Sequence, residues 1–193
     1  MTSTPDAATR VWEGLTIPVA GTYLLDAAHR RVGFVARHMM VSKVRGEFTD
    51  VTATVTIGEN PLDSSVTATI QAASINTGQA DRDNHLRSAD FLEVEKYPTL
   101  EFRSTGMKSH QGNEFVLVGD LTIKGVTRQV ELQVEFEGAN RSPFGQDVFG
   151  FSAVTEIDRE DFGLTWNMAL ETGGVVVGKK VKIEIEGEAI RQA

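Results

Sequence analysis

Cysteine is absent from the chain, and proline, tryptophan and tyrosine are scarce, at 5, 2 and 2 of 193 residues. Without cysteine there is no disulfide, no thiolate metal site and no cysteine nucleophile, and a reducing compartment fits that composition. No window approaches the roughly 18 apolar residues of a membrane-spanning helix. The opening residues through Arg10 lack the basic start and the apolar stretch of about 7–15 residues that mark a secretory signal. These absences predict a cytoplasmic protein. Positive charge is also in deficit, with 19 Lys and Arg against 27 Asp and Glu, a formal charge of −8. No basic run offsets that balance along the chain. The expectation is therefore no nucleic acid, and no anionic membrane surface, as the main partner.

What the chain does have is period-two alternation. Val51, Ala53, Val55 and Ile57 alternate with threonines, and Val66, Ala68, Ile70 and Ala72 repeat the pattern after Gly58-Glu59-Asn60-Pro61. Val130, Leu132, Val134 and Phe136 alternate with Glu and Gln, and Val181, Ile183 and Ile185 with Lys and Glu. About nine strands separated by turn signals, without strand–helix alternation, predict an all-β fold, an antiparallel barrel or sandwich. Residues 1–10 read as a disordered tail and 11–193 as a single domain, Trp12 to Pro18 forming an ordered arm on its surface. The one helical insertion falls near 78–92, with Thr77 or Asp81 as its cap.

Gly21-Thr22-Tyr23-Leu24-Leu25-Asp26 reads as a first strand, and a second follows after His29. That second stretch obeys no simple pattern. In Val32-Gly33-Phe34-Val35-Ala36-Arg37-His38-Met39, a histidine shares a strand face with Phe34 and an arginine shares the opposite face with Val35. His29, His38 and His85 could gather as a metal or catalytic set, yet none has a diagnostic ligand spacing; His110 reads as a solvated loop residue. No Gly-x-Ser-x-Gly elbow is present, Thr172 to Gly178 has no following lysine-serine or helix pattern of a phosphate loop, and Asp158-Arg159-Glu160-Asp161 reads as a solvated charged turn. Arg82-Asp83-Asn84-His85-Leu86 is the densest polar cluster, readable as a surface helix or as a lid offering Arg82 and His85 to a polar ligand group. Phe34, Phe48, Phe102, Phe151 and Trp166 can fill a barrel or line a cavity in it, and the residues leave both open.

The motifs, taken in order, resemble the YceI-like family of polyisoprenoid-binding proteins from Trp12 to Ala189. They are Tyr23-Leu24-Leu25-Asp26 with His29, Phe34-Val35-Ala36-Arg37-His38, Val44-Arg45-Gly46-Glu47-Phe48, Ser74-Ile75-Asn76-Thr77, Arg82-Asp83-Asn84-His85-Leu86 with Asp90-Phe91, Tyr97-Pro98 with Phe102, Gly119 to Thr127, and Arg159-Glu160-Asp161-Phe162-Gly163. Arg30 stands where the family usually has serine. The resemblance implies an extended lipocalin-like barrel of about eight strands that binds an isoprenoid or similar amphipathic lipid without catalysis. On it, Phe34, His38, Phe48, Phe102, Phe151 and Trp166 would line the pore, and Arg82, Asp83 and His85 would sit at its mouth. It implies no cofactor other than a bound isoprenoid quinone or polyprenyl lipid, and it admits a homodimer. Two alternatives stand beside it: an enzyme using His29, His38 and His85, and a packed barrel acting through its surface.

Overall fold

The computed structural model describes residues 7–193. Twelve strands run β1 (Thr9–Trp12), β2 (Leu15–Pro18), β3 (Gly21–His38), β4 (Ser42–Phe48), β5 (Val51–Ile57), β6 (Ser65–Gln71), β7 (Ile75–Asn76), β8 (Thr99–Gln111), β9 (Glu114–Ile123), β10 (Val126–Arg141), β11 (Asp147–Asp158) and β12 (Val177–Arg191), with one helix, α1 (Ala80–Arg87), between β7 and β8. Strands β3, β5, β6, β8, β9, β10, β11 and β12 pair antiparallel in that order, and β12 returns to β3. The result is the expected closed eight-strand barrel, in which every alternating strand has an inner and an outer face. No helix among the described residues is long and apolar enough to cross a membrane.

Four departures from the sequence reading have local causes. The expected tail through Arg10 ends early: Thr9 and Arg10 pair with Pro18 and Ile17, while residues 1–6 lie outside the described residues. Gly21 to His38 forms one strand instead of two, because residues 26–29 are absorbed as a bulge opposite Glu188 while the flanking residues keep pairing with β12. At that bulge β3 changes its other neighbour, from β5 (Gly21 to Leu24) to β4 (Val32 to His38). The helix is shorter than 78–92, and neither Thr77 nor Asp81 caps it; Gln79 holds the cap position without a side-chain bond. Lastly, Arg159 is 3% exposed, so the charged turn after β11 is not a solvated one.

The buried apolar residues form two clusters. One, built on Ile75, Leu92, Leu100, Ile123, Phe162 and Leu164, closes the end of the barrel under α1. The other, built on Tyr23, Val55, Phe149 and Ala189, lies toward the opposite end.

Candidate ligand-binding site

A cavity of about 260 Å³ lies along the barrel interior. Its wall is apolar; among the described residues lining it, Ser64 and Thr155 carry a side-chain hydroxyl and none is ionisable. Val130, Leu132, Val134 and Phe136 all face it, as their clean alternation requires. Phe34, Phe102, Phe136 and Phe151 are half-buried although they point inward. Their remaining surface borders the lumen, which these rings therefore line without filling.

Glycines explain how large rings leave an open lumen. A Cβ on Gly46 would collide with the ring of Phe34, and one on Gly119 with the ring of Phe102. At Gly187 it would lie 3.2 Å from Phe151 Cζ and 2.9 Å from Leu25 Cδ1. Gly46 pairs directly across from Phe34, and Gly187 directly across from Phe151. Each ring thus occupies its neighbour's missing side-chain space along the wall. Phe34, Phe48, Phe102 and Phe151 line the cavity; His38 and Trp166 do not, and neither do Arg82, Asp83 and His85, the residues expected at its mouth.

The end of the barrel away from α1 is covered by the β1–β2 hairpin, whose Ile17 and Pro18 line the cavity. Two latches hold it. The Arg10 guanidinium donates to the carbonyls of Gly58 and Glu59 in the β5–β6 connection. On the other side, the Trp12 ring lies 5.0 Å from His110 and 6.4 Å from Phe115, and His110 Nε2 is 3.1 Å from Glu13 Oε2. His110, expected in solvent, is half-buried against this hairpin. Sequence reading missed it because its partners lie about a hundred positions away.

At the opposite end the dense polar cluster bonds to residues just before and after it in the chain, Thr77, Arg87 and Asp90. Apart from Leu86, α1 presents no large apolar side chain, so polar anchors hold it. Buried Asp83 accepts from Thr77 N (2.8 Å) and Thr77 Oγ1 (2.6 Å), and Arg82 donates to Thr77 Oγ1 (2.7 Å) and the Thr77 carbonyl (3.0 Å). Arg87 reaches the carbonyls of Ala73 and Ile75. His85 bonds Asp90 at 2.8 Å and meets the Trp166 ring edge-on at 4.6 Å, so Trp166 belongs to this cap. Arg159 joins it from below, donating to the carbonyls of Leu164, Trp166, Val177 and Gly178; its burial depresses its pKa.

His29, His38 and His85 are not brought together: they stand on the β3 bulge, at the last residue of β3 and on α1. The bulge instead places His29 Nδ1 2.7 Å from Asp26 Oδ2 and 3.6 Å from Glu188 Oε2, the one group of three metal-capable side chains among the described residues. The hydrogen bond to Asp26 raises the His29 pKa and lowers that of Asp26. This group is on the outside of the barrel and does not touch the cavity.

The comparisons with known proteins agree with this architecture. The UPF0312 protein SA2479 of Staphylococcus aureus (strain N315) is 39% identical over 168 residues, 86% of this chain and 95% of that protein. The Campylobacter jejuni YCEI protein superposes with a TM-score of 0.71 at 29% identity, covering 81% of this chain and 90% of that one. Burkholderia cenocepacia BcnA gives 0.74 at 24% identity, covering 85% and 98%. A polyisoprenoid binding domain from Saccharophagus degradans, implicated in plant cell wall breakdown, shares the fold at 14% identity with a TM-score of 0.68, covering 90% and 100%. The YceI-like domain profile matches residues 23–189, the whole barrel from β3 to β12, and the chain belongs to the YceI-like family.

Proposed function

We propose that the protein binds an isoprenoid or similar amphipathic lipid in the barrel and stores or carries it without catalysis. The apolar cavity, kept open by rings laid over glycines, carries this reading. Burial of the chain supplies the affinity, at about 0.8 kcal/mol per methylene. Because no ionisable side chain among the described residues lines the lumen, the buried part of the ligand is uncharged; a charged head would sit outside, since an unpaired ion in such a lumen is prohibitive. Arg82, Asp83 and His85 act on this site indirectly, by holding the cap beyond it.

Gentle purification, extraction into organic solvent and mass spectrometry test the proposal, followed by titration with prenols of increasing chain length. Co-purification of a long-chain lipid, or saturable prenol binding, is the expected result. Repeated recovery of no lipid together with no prenol binding overturns it.

A further inference from the structure

The β3–β4 hairpin ends in Met39-Met40-Val41, which are 43%, 62% and 79% exposed. Met39 and Met40 both have positive φ, 51° and 64°. Tight hairpin loops usually place Asn, Asp or Gly at such positions. The loop is nonetheless held in place: Val41 N donates to the His38 carbonyl (3.1 Å) and Met39 N to the Val176 carbonyl (2.8 Å). Val176 N in turn donates to the carbonyl of Met168, itself 59% exposed, and Met40 Cγ approaches the Cβ position of Gly174 at 3.5 Å. Two chain segments therefore combine into one methionine-rich apolar tip.

Directly behind the tip, Arg37 and Lys43 face each other across the β3–β4 ladder, both exposed. Like charges in that position repel. Three cations of the surrounding strands have carboxylates: Lys179 bonds Glu160 (3.1 Å), Lys182 bonds Glu184 (3.2 Å) and Arg31 meets Glu47 (3.7 Å). Arg37 and Lys43 form no ion pair among the described residues. An uncompensated cationic pair thus stands behind an apolar tip, in a chain whose formal charge is −8.

We infer that this hairpin seats the protein on an anionic lipid surface, with Met39, Met40, Val41 and Met168 entering the headgroup boundary and Arg37 and Lys43 facing the lipid charges. A protruding loop with so few exposed apolar side chains offers far less than the roughly 1,000 Å² that a specific protein interface needs. Shallow insertion needs only a small apolar wedge and adjacent basic charge. The inference stands on the hairpin and does not require the cavity to hold a prenyl chain.

Co-sedimentation of the full chain with vesicles tests it, comparing phosphatidylcholine alone with an equal mixture of phosphatidylcholine and phosphatidylglycerol. Wild type binds the mixed vesicles, releases at high salt and ignores the neutral ones. Arg37→Gln and Lys43→Gln each weaken binding about fivefold, the effect of one surface charge near an anionic leaflet. The triple variant Met39→Ser, Met40→Ser, Val41→Ser loses binding while keeping its circular dichroism spectrum. Prenol binding measured without vesicles reports on the cavity separately. Absence of wild-type binding, undiminished binding by the triple variant, or a wild-type dimer that this variant dissolves would each overturn the inference.

Discussion

The ring of Phe34 occupies the space that a side chain at Gly46, its direct partner across the β3–β4 ladder, would take. Phe102 with Gly119 and Phe151 with Gly187 repeat the arrangement elsewhere on the wall. Three aromatic rings thereby become wall instead of filling.

Gly46→Val or Gly119→Val therefore turns the corresponding ring into the lumen. Each substitution overpacks the wall at a cost of about 1–3 kcal/mol. Thermal melts report that loss, and prenol titration reports a weaker or shorter-chain ligand preference. Unchanged chain-length preference in a folded variant counts against the ring-as-wall arrangement.

Trp12→Ala removes the ring that sits between the β1–β2 hairpin and His110. With one latch gone, stopped-flow exchange of a bound fluorescent lipid speeds up, while circular dichroism stays that of the intact barrel. Equal exchange rates would mean that the hairpin does not control access.

Arg159 satisfies four carbonyls from inside the cap. Arg159→Ala leaves them without their donor, and stability falls by about 3 kcal/mol in chemical denaturation, as for other buried charged hydrogen bonds. Arg159→Lys recovers only part, because an ammonium lacks the planar fork.

Two pH responses have opposite signs. The His29 pKa is raised by its bond to Asp26, so that pair favours folding below about 6.5 and loses its effect as pH rises through the higher folded value. Nuclear magnetic resonance titration detects the raised value, and Asp26→Asn brings it down. Asp147, 8% exposed, is held below the usual carboxylate range first by its hydrogen bond from Arg141, at 2.6 Å, with Arg191 also contributing. Its contribution is present above about pH 3.9 and is lost as pH falls through the lowered folded value. Asp147→Asn flattens this acid limb of the stability curve.

Alternation made the barrel wall legible: Val130 to Phe136 read inward and lie inward, because side-chain direction in a strand follows from its backbone geometry alone. Phe34, Phe48, Phe102 and Phe151 line the cavity too, but the family resemblance, not alternation, pointed to them; alternation also set His38 on the face of Phe34, and His38 does not line it. Trp166 was not, because it sits on a loop without a period and its direction depends on His85 and Phe91. The role of Arg159 was hidden by its acidic neighbours, since composition reports charge and not burial. The β3 bulge was hidden because Asp26-Ala27-Ala28-His29, with strand-poor Asp and Ala, reads as a break between two strands, and only pairing with β12 on both sides carries the strand through it.

By itself, the sequence determined an all-β chain, one inner apolar face per strand and membership in a family with a continuous set of short motifs, all properties carried by local spacing. Whether the inner face encloses an open lumen depended on rings meeting glycines of adjacent strands, contacts that exist only after the sheet closes. The same closure decided the surface charge. The chain has only short basic runs, such as Lys179-Lys180, yet strand pairing sets Arg37 against Lys43 behind an exposed methionine tip, because register, not sequence distance, chooses which charges are neighbours.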